Sequence, residues 1–377
     1  MLYWLLYLEL YPIFSPFRVF RYVTFRIAFA SLTALLLAMV LGPWLIQRLR
    51  EFQIGQFIRE DGPESHKAKA GTPTMGGILI LLATIVPTVM WADLSNVYIW
   101  IVVFSTVAFG FIGFLDDYLK IKRRQNLGLR ARDKIFLQIV VSLMVGVSLL
   151  MLTAKGLYST HLVVPFFKRF SPNLLIESLM GNPYTYPFAF IFFFMFVILV
   201  LVGSTNAVNL TDGLDGLAIG LTIIAAGALT VLTYVTGHAV FARYLDLGYL
   251  AGAGEVAIFT GALVGASLGF LWYNSHPAEI FMGDVGSLAL GGAIGTVAVI
   301  IKQELLLPFI GGVFVAEALS VILQVGSFKL RGKRIFLMAP IHHHFEKSGW
   351  KESKVIIRFW IMGLLLALFA LTTLKLR

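Results

Sequence analysis

The 377-residue sequence contains no cysteine and few charged residues. Without cysteine the chain forms no disulfide, and thiolate nucleophiles, cysteine-bound zinc and iron–sulfur clusters are excluded. Charged residues make up 13% of the chain, about half the share of roughly 25% found in soluble domains, whereas 58% of the residues are hydrophobic. A soluble protein has too little interior to hide that much apolar surface. The composition therefore predicts an all-α polytopic membrane protein.

Ten stretches approach the length of about 20 apolar residues that a helix needs to cross a bilayer, and the second and eighth are short. Residues 1–24 are aromatic but are interrupted by Glu9, Pro12 and Pro16. They lack the basic start and small-residue cleavage site of a signal peptide, so we expect an interfacial segment followed by a single ten-helix domain over 25–377. The predicted spans are Phe25–Leu45, Met75–Trp91, Tyr98–Leu115, Ile135–Leu152, Phe188–Val208, Leu217–Thr236, Val256–Asn274, Leu288–Ile301, Leu305–Val325 and Val355–Leu374.

Lysine and arginine are distributed unevenly between the two sets of loops that these spans define. One set carries 19 of the 30 basic residues, and the other set, which includes both termini, carries nine. Because cytoplasmic loops retain basic residues, we expect the first set to be cytoplasmic and both termini to face the periplasm. This asymmetry explains the net charge of +10 without nucleic acid as a partner. The cytoplasmic set comprises 46–74, 116–134, 209–216, 275–287 and 326–354.

Acidic residues gather in the same cytoplasmic loops, which hold 13 of the 20 aspartates and glutamates. Membrane topology does not require them there, and unpaired carboxylates beside apolar spans are costly. Loops 209–216 and 275–287 contain no lysine or arginine, so their carboxylates need a cation from elsewhere. The candidates are a hard divalent metal ion and the basic side chains of the other loops. The three clusters are Asp116 with Asp117, Asp212 with Asp215, and Asp284.

The spacing and the neighbours of these acids suggest a common cleft. Asn209, Asp212 and Asp215 follow one another at i, i+3 and i+6, which on a helix places them along one side. Asp284 lies between glycines at the predicted start of the eighth helix, where a helix N-terminus favours a metal–phosphate pair. The structural alternative is that these aspartates only cap helices, with the glycines forming turns.

Other cytoplasmic loops supply donors for an anionic ligand. Lys69 and Thr74 lie in a loop that resembles an anion-binding loop in composition, and Lys134 stands where the fourth span enters the membrane. Three adjacent histidines occupy 342–344; successive helical residues point about 100° apart, so they do not all ligate one metal. We therefore favour the interpretation that these side chains contact phosphate or sugar. The alternatives are membrane topology for the lysines and a structural role for the histidines.

The interiors of the spans distinguish an enzyme from a transporter. Only Glu317 lies deep within a predicted span, whereas transporters place ionisable groups near the bilayer midplane. A permease or flippase is therefore the disfavoured class. Acids for Mg²⁺ and bases for phosphate at one membrane face favour group transfer between a phosphorylated soluble donor and a lipid acceptor.

Five segments together resemble the polyprenyl-phosphate N-acetylhexosamine-1-phosphate transferase superfamily. Gly-Thr-Pro-Thr-Met-Gly-Gly and Ala-Pro-Ile-His-His-His-Phe-Glu are similar to the branch that transfers phospho-N-acetylmuramoyl-pentapeptide. The resemblance implies that UDP-N-acetylmuramoyl-pentapeptide and undecaprenyl phosphate react, with Mg²⁺, to lipid I and UMP. It also implies a homodimer in the bacterial inner membrane, at the first membrane step of peptidoglycan synthesis. Transfer of N-acetylglucosamine-1-phosphate to the same lipid is the alternative. The segments are 66–77, 115–118, 206–216, 282–287 and 338–346.

The same resemblance implies roles for individual residues. Asp284 is expected to hold the metal, and Asp116 and Asp117 are expected to serve the attacking lipid phosphate or the metal. The remaining candidates are expected to line the nucleotide-sugar site or to lie beside it as polar contacts. They are Lys69, Thr74, Lys134, Asn209, Asp212, Asp215, Asn274, His342, His343 and His344.

Overall fold

The computed structural model describes residues 1–51, 71–123, 125, 127–167, 170–182 and 184–374, so Lys69 lies outside the described residues. Within these ranges the regular structure is helical, apart from isolated bridge residues such as the pair His161 and Asn173. The all-α prediction is therefore confirmed for the described chain. The long helices are α1 (Val23–Glu51), α2 (Gly77–Trp91), α3 (Val97–Arg123), α4 (Ala131–Ala154), α5 (Ile191–Thr211), α6 (Leu217–Thr236), α7 (Ala253–Asn274), α8 (Gly283–Ile300), α9 (Gly312–Arg331) and α10 (Glu352–Thr372).

Short helical segments connect the long helices. A π-helix and a 3₁₀ helix precede α1, and further short turns lie in the connections that follow α4, α6, α8 and α9. None of them approaches the length of a membrane span. They are Trp4–Glu9, Ser15–Arg21, Glu177–Leu179, Tyr186–Phe190, Ala239–Tyr244, Leu307–Ile310 and Ile341–Lys347.

Nine helices in the described ranges are long and apolar enough to cross a membrane. The exception among the ten is α2, whose 15 residues extend about 22 Å at a rise of 1.5 Å per residue. Large apolar side chains are exposed on the outer helices, for example Leu319 and Ile322 on α9 and Ile361 and Leu365 on α10. Exposed apolar faces of this kind suit a lipid environment rather than water.

Helix boundaries at the predicted cytoplasmic side differ from those that hydropathy predicts. α3 continues past Leu115 to Arg123, and α8 begins at Gly283 rather than at Leu288. The length of an apolar stretch predicts only the part of a helix that lies in lipid, whereas intrahelical hydrogen bonds extend the helix beyond that part. The predicted helical face through Asn209, Asp212 and Asp215 is wrong, because α5 ends at Thr211. The chain turns there, and Gly216 adopts a left-handed φ of 77°.

α8 is the most buried of the long helices and packs against α2, α3 and α5. Close packing depends on small residues, as is usual between helices in membranes. A Cβ at Gly291 would overlap the backbone of α5 at Ser204 and Thr205, and one at Gly292 would overlap Phe109 of α3. The first turn of this central helix, which carries Asp284, is thereby fixed against its neighbours.

The opposite end of the bundle is fastened by a buried ion pair. Arg26, at the start of α1, donates to both carboxylate oxygens of Glu255, at the start of α7, over 2.7 and 2.6 Å. The Tyr3 ring lies over the same guanidinium at 4.1 Å. The bidentate pair thus holds the N-terminal segment, α1 and α7 together at the end remote from Asp284.

Candidate active site

Three carboxylates meet where the C-terminal part of α3 crosses the N-terminus of α8. Oxygens of Asp116, Asp117 and Asp284 all lie within 4.8 Å of one another, and we call these residues the carboxylate cluster. Gly113 lies one helical turn before Asp117, and a Cβ there would overlap the Asp284 carbonyl. This glycine is therefore required for the two helices to approach so closely.

One oxygen of each carboxylate in the cluster accepts a hydrogen bond from an N–H group of the protein. The backbone N–H of Leu129 donates to Asp116 Oδ1 over 2.8 Å, and that of Val285 donates to Asp117 Oδ2 over 3.2 Å. The Asn209 amide donates to Asp284 Oδ1 over 2.8 Å. These bonds orient the cluster and leave the second oxygen of each carboxylate for a cation.

Two lysines supply positive charge to those second oxygens. Lys120 Nζ lies 2.6 Å from Asp116 Oδ2, 3.2 Å from Asp117 Oδ1 and 3.1 Å from Asp284 Oδ2. Lys134 Nζ lies 2.7 Å from Asp284 Oδ2. Lys134 was predicted for the site, but Lys120 was not. Its i+3 and i+4 spacing from the two aspartates of α3 is the signal that would have identified it.

The carboxylate cluster has the donor set that suits a hard divalent cation. Mg²⁺ prefers oxygen ligands and is usually held by one or two carboxylates together with waters and substrate phosphates. The cluster offers such oxygens beside the N-terminus of α8, whose free N–H groups favour anions. The residues therefore fit Mg²⁺.

The loop before α2 closes one side of the cluster. Phe281 donates its backbone N–H to Pro73 over 2.8 Å, and Gly76 donates to the Phe281 carbonyl over 2.9 Å. This pairing places Thr74 next to Gly283, where an added Cβ would meet both Thr74 Oγ1 and Asp117 Oδ2. Gly283 has a φ of 71°, which favours glycine, so the close approach and the backbone conformation select the same residue.

A second cluster joins three different loops. His276 Nδ1 lies 3.0 Å from Asp215 Oδ2 and 3.6 Å from Glu352 Oε2, and the Asp215 backbone N–H donates to Glu352 Oε1. Asn274 completes the connection, because its amide accepts from Gly216 and donates to Ile280. Asp215 and Asn274 therefore hold the α5–α6 loop against α10 and the α7–α8 loop. Asn209 faces the carboxylate cluster instead.

Asp212 lies in the α5–α6 loop between these two groups of residues. Burial, together with the negative charges of Asp284, Asp117 and Asp215, raises the pKa of Asp212 to about 8. The Asp212 carboxyl is therefore mostly protonated at neutral pH when no cation is bound. In that form it donates a hydrogen bond rather than accepting one.

The three histidines have different polar neighbours. His342 is fully buried; its Nδ1 lies 3.1 Å from Glu317 Oε1, and a Cβ at Gly213 would overlap its Nε2. His343 Nδ1 lies 2.7 Å from Glu346 Oε2. His344 accepts a hydrogen bond from the Leu337 backbone N–H over 3.2 Å.

The amino-acid sequence is similar to that of known transferases. Residues 99–302 match the family described as glycosyl transferase family 4, and residues 69–81 match signature 1 of the phospho-N-acetylmuramoyl-pentapeptide transferases. A phospho-N-acetylmuramoyl-pentapeptide transferase of Koribacter versatilis is 67% identical over 379 residues, and that of Acidobacterium capsulatum is 69% identical over 377. A third, from Solibacter usitatus, is 62% identical over 378 residues. Each alignment covers 100% of both chains.

Proposed function

Since the chain belongs to the phospho-N-acetylmuramoyl-pentapeptide transferase family, we propose specific roles for the residues of its candidate active site. The protein is a multi-pass membrane phosphosugar transferase. It transfers phospho-N-acetylmuramoyl-pentapeptide from UDP-N-acetylmuramoyl-pentapeptide to undecaprenyl phosphate, and the products are lipid I and UMP. One observation carries the assignment of the residues, namely that the carboxylate cluster and two lysines meet at the N-terminus of α8.

We propose ten membrane spans, with both termini in the periplasm of a bacterial inner membrane and the carboxylate cluster at the cytoplasmic face. The distribution of lysine and arginine supports this orientation. The short α2 is the tenth span, and its neighbours α1 and α7 cover it within the bundle. We further propose that the protein works as a homodimer.

We propose that the enzyme depends on Mg²⁺, that Asp284 holds the ion, and that Asp116 and Asp117 hold either the ion or the lipid phosphate. When bound, Mg²⁺ supplies positive charge that stabilises the diphosphate and the leaving UMP. Lys134 already contacts Asp284, so its ammonium is placed to meet the same phosphates. Asn209 orients the Asp284 carboxylate through its amide.

The nucleotide-sugar is proposed to bind beside the cluster. Thr74 and Lys69 contribute from the loop before α2, and Asp212 contributes from the α5–α6 loop. The second cluster, with Asp215 and Asn274, holds the loops that form this wall of the site. The histidine run closes it from the short helix Ile341–Lys347, and His343 and His344 are partly exposed there.

The chemical step is proposed to be direct attack by the lipid phosphate on the β-phosphate of the donor. The acceptor phosphate has a second pKa near about 6, by analogy with phosphorylated side chains, and is largely dianionic at neutral pH. It needs little general-base assistance, so Asp116 or Asp117 positions it or removes a residual proton. The bond from the β-phosphorus to the bridging oxygen then breaks, and UMP leaves with the bonding electron pair.

The test is UMP release by detergent-solubilised protein supplied with Mg²⁺, undecaprenyl phosphate and either of two donors. We expect UMP from UDP-N-acetylmuramoyl-pentapeptide and at most a trace from UDP-N-acetylglucosamine. Efficient UMP release from UDP-N-acetylglucosamine would establish transfer of N-acetylglucosamine-1-phosphate instead. Activity in detergent also separates the enzyme from a permease, because transport requires a sealed compartment.

A further inference from the structure

Lys120 occupies the centre of the carboxylate cluster. Its ammonium contacts Asp116, Asp117 and Asp284 at 2.6 to 3.2 Å, using the oxygen of each carboxylate that does not accept from a backbone or amide N–H. Lys134 shares the Asp284 oxygen with it. The other oxygens are bonded to the protein, as described above. The three oxygens that are placed to bind one cation jointly are therefore the three that Lys120 already contacts.

A metal ion and this ammonium are mutually exclusive at those oxygens. Mg²⁺ binds oxygen at about 2.0 to 2.1 Å in a near-octahedral shell. An ammonium group at hydrogen-bond distance from the same three atoms fills the space that this shell requires. Positive charge on both would also repel strongly in a partly buried site. Metal binding at the cluster therefore requires that Lys120 leave it.

The surroundings of Lys120 permit this movement. Its side chain is 30% exposed, compared with 5% for each of the two aspartates that precede it on α3, so the exit leads towards solvent. A lysine side chain is flexible, and it changes partners without moving the helix. Lys134 differs, because its ammonium contacts Asp284 alone within the cluster and is half as exposed.

We propose that Lys120 is a displaceable counter-ion: it neutralises the carboxylate cluster in the metal-free enzyme, and Mg²⁺ releases it to pair with substrate phosphate. The inference rests on the proposed function, since it takes the cluster as the metal site. It explains how three clustered acids stay compact without metal. In this proposal, binding of Mg²⁺ also makes the Lys120 ammonium available to the substrate phosphate.

The first experiment measures Mn²⁺ binding by the electron paramagnetic resonance of free Mn²⁺, with detergent-solubilised protein and no substrate. Lys120→Met removes the ammonium but keeps the stem, and we expect its Kd for Mn²⁺ to fall at least about tenfold. Lys120→Gln should behave alike, and Lys120→Arg should bind no more tightly than wild type. Lys122→Met is the matched control, because this lysine of α3 is exposed and its ammonium lies over the Tyr118 ring, 5.9 Å from the centroid. Unchanged or weaker binding by folded Lys120→Met would overturn the proposal.

The second experiment measures the displacement itself. An amine-acylating reagent is applied with and without Mg²⁺, and peptide mass spectrometry scores each lysine. Mg²⁺ should increase labelling of Lys120 at least about threefold and leave Lys122 unchanged, because Lys120, unlike Lys122, exchanges acidic partners for solvent. Unchanged or reduced labelling of Lys120 refutes displacement. Asp284→Asn tests the proposed metal site separately from the role of Lys120. If this variant binds Mn²⁺ as tightly as wild type does, the assignment of Asp284 to the metal is wrong, independently of the result for Lys120.

Discussion

His342 Nδ1 lies 3.1 Å from Glu317 Oε1, and neither side chain is exposed to solvent. Glu317 is on α9, within the apolar part of the bundle, whereas His342 belongs to the short helix that carries the histidine run. The opposite ring nitrogen of His342 faces Gly213 in the α5–α6 loop. His342 therefore lies between that loop and α9.

Removal of either partner should leave a buried group uncompensated. We expect Glu317→Gln and His342→Gln each to cost about 1 to 3 kcal/mol of stability and to lower kcat more than they raise KM. Glu51→Gln is the control, since its pair with Arg48 is exposed and worth about 0 to 1 kcal/mol. Thermal unfolding and steady-state kinetics of the single and double variants provide the measurement. Strictly additive losses would show that the two residues do not act as a pair.

Asp284→Asn preserves the shape of the side chain and removes the charge proposed to hold Mg²⁺. We expect turnover to fall by at least about 100-fold, with the melting temperature in detergent close to that of wild type. Asp133→Asn is the matched control, because Asp133 is exposed in the first turn of α4. A purified Asp284→Asn protein that keeps the wild-type rate and Mg²⁺ dependence would refute the assignment.

Parts of this architecture follow from sequence because they depend on local physics. Apolar length predicts most of the long helices, and the glycines beside Asp284 predict that it begins a helix, which the structure confirms. The all-helical fold can be predicted from the hydropathy of the chain alone. Family membership was likewise predictable, since short motifs carry it, and the full-length relatives confirm it.

Other parts depend on tertiary packing and were not predictable. Lys120 reaches Asp284 only because Gly113 lets α3 and α8 come into contact. The regular spacing of Asn209 and Asp215 suggested a common cleft, but the helix ends between them and Asp215 pairs with His276. No local pattern links such partners, because the loops that carry them are distant in sequence.

Lys134→Gln tests whether this lysine contacts substrate or only sets topology. Its ammonium lies 2.7 Å from Asp284 Oδ2, so we expect the change to raise KM or lower kcat by about tenfold or more in detergent. Topology is already established in purified protein and does not contribute. Lys69→Gln is expected to act in the same direction, and Lys122→Gln to have no effect. Wild-type kinetics for both Lys134→Gln and Lys69→Gln would show that these lysines serve only membrane topology.

The raised pKa of Asp212 predicts a specific dependence of stability on pH. A carboxyl with an unfolded pKa near about 3.9 and a folded pKa of about 8 binds more protons when folded between those values. Its contribution to stability is therefore complete below about pH 4 and is lost as pH rises through about 8. In metal-free protein, wild type should lose about 2 °C or more of melting temperature relative to Asp212→Asn between pH 5 and pH 9. Parallel curves would mean that Asp212 is ionised in the fold.

The last prediction separates direct attack from a two-step route through a phospho-enzyme. In the two-step route a carboxylate attacks the donor β-phosphate, UMP leaves, and the phosphosugar then passes to the lipid. That route requires a carboxylate that is free of other partners, whereas one oxygen of each acid of the carboxylate cluster accepts from a protein N–H group and the other faces the proposed metal site. We therefore expect no exchange of labelled UMP into UDP-N-acetylmuramoyl-pentapeptide in rigorously lipid-free enzyme with Mg²⁺. Exchange should begin only when undecaprenyl phosphate is added, because the reverse reaction then starts from lipid I. Exchange without lipid that disappears in Asp116→Asn or Asp117→Asn would establish the covalent route, since only an enzyme-bound phosphosugar can return to UMP when no acceptor is present.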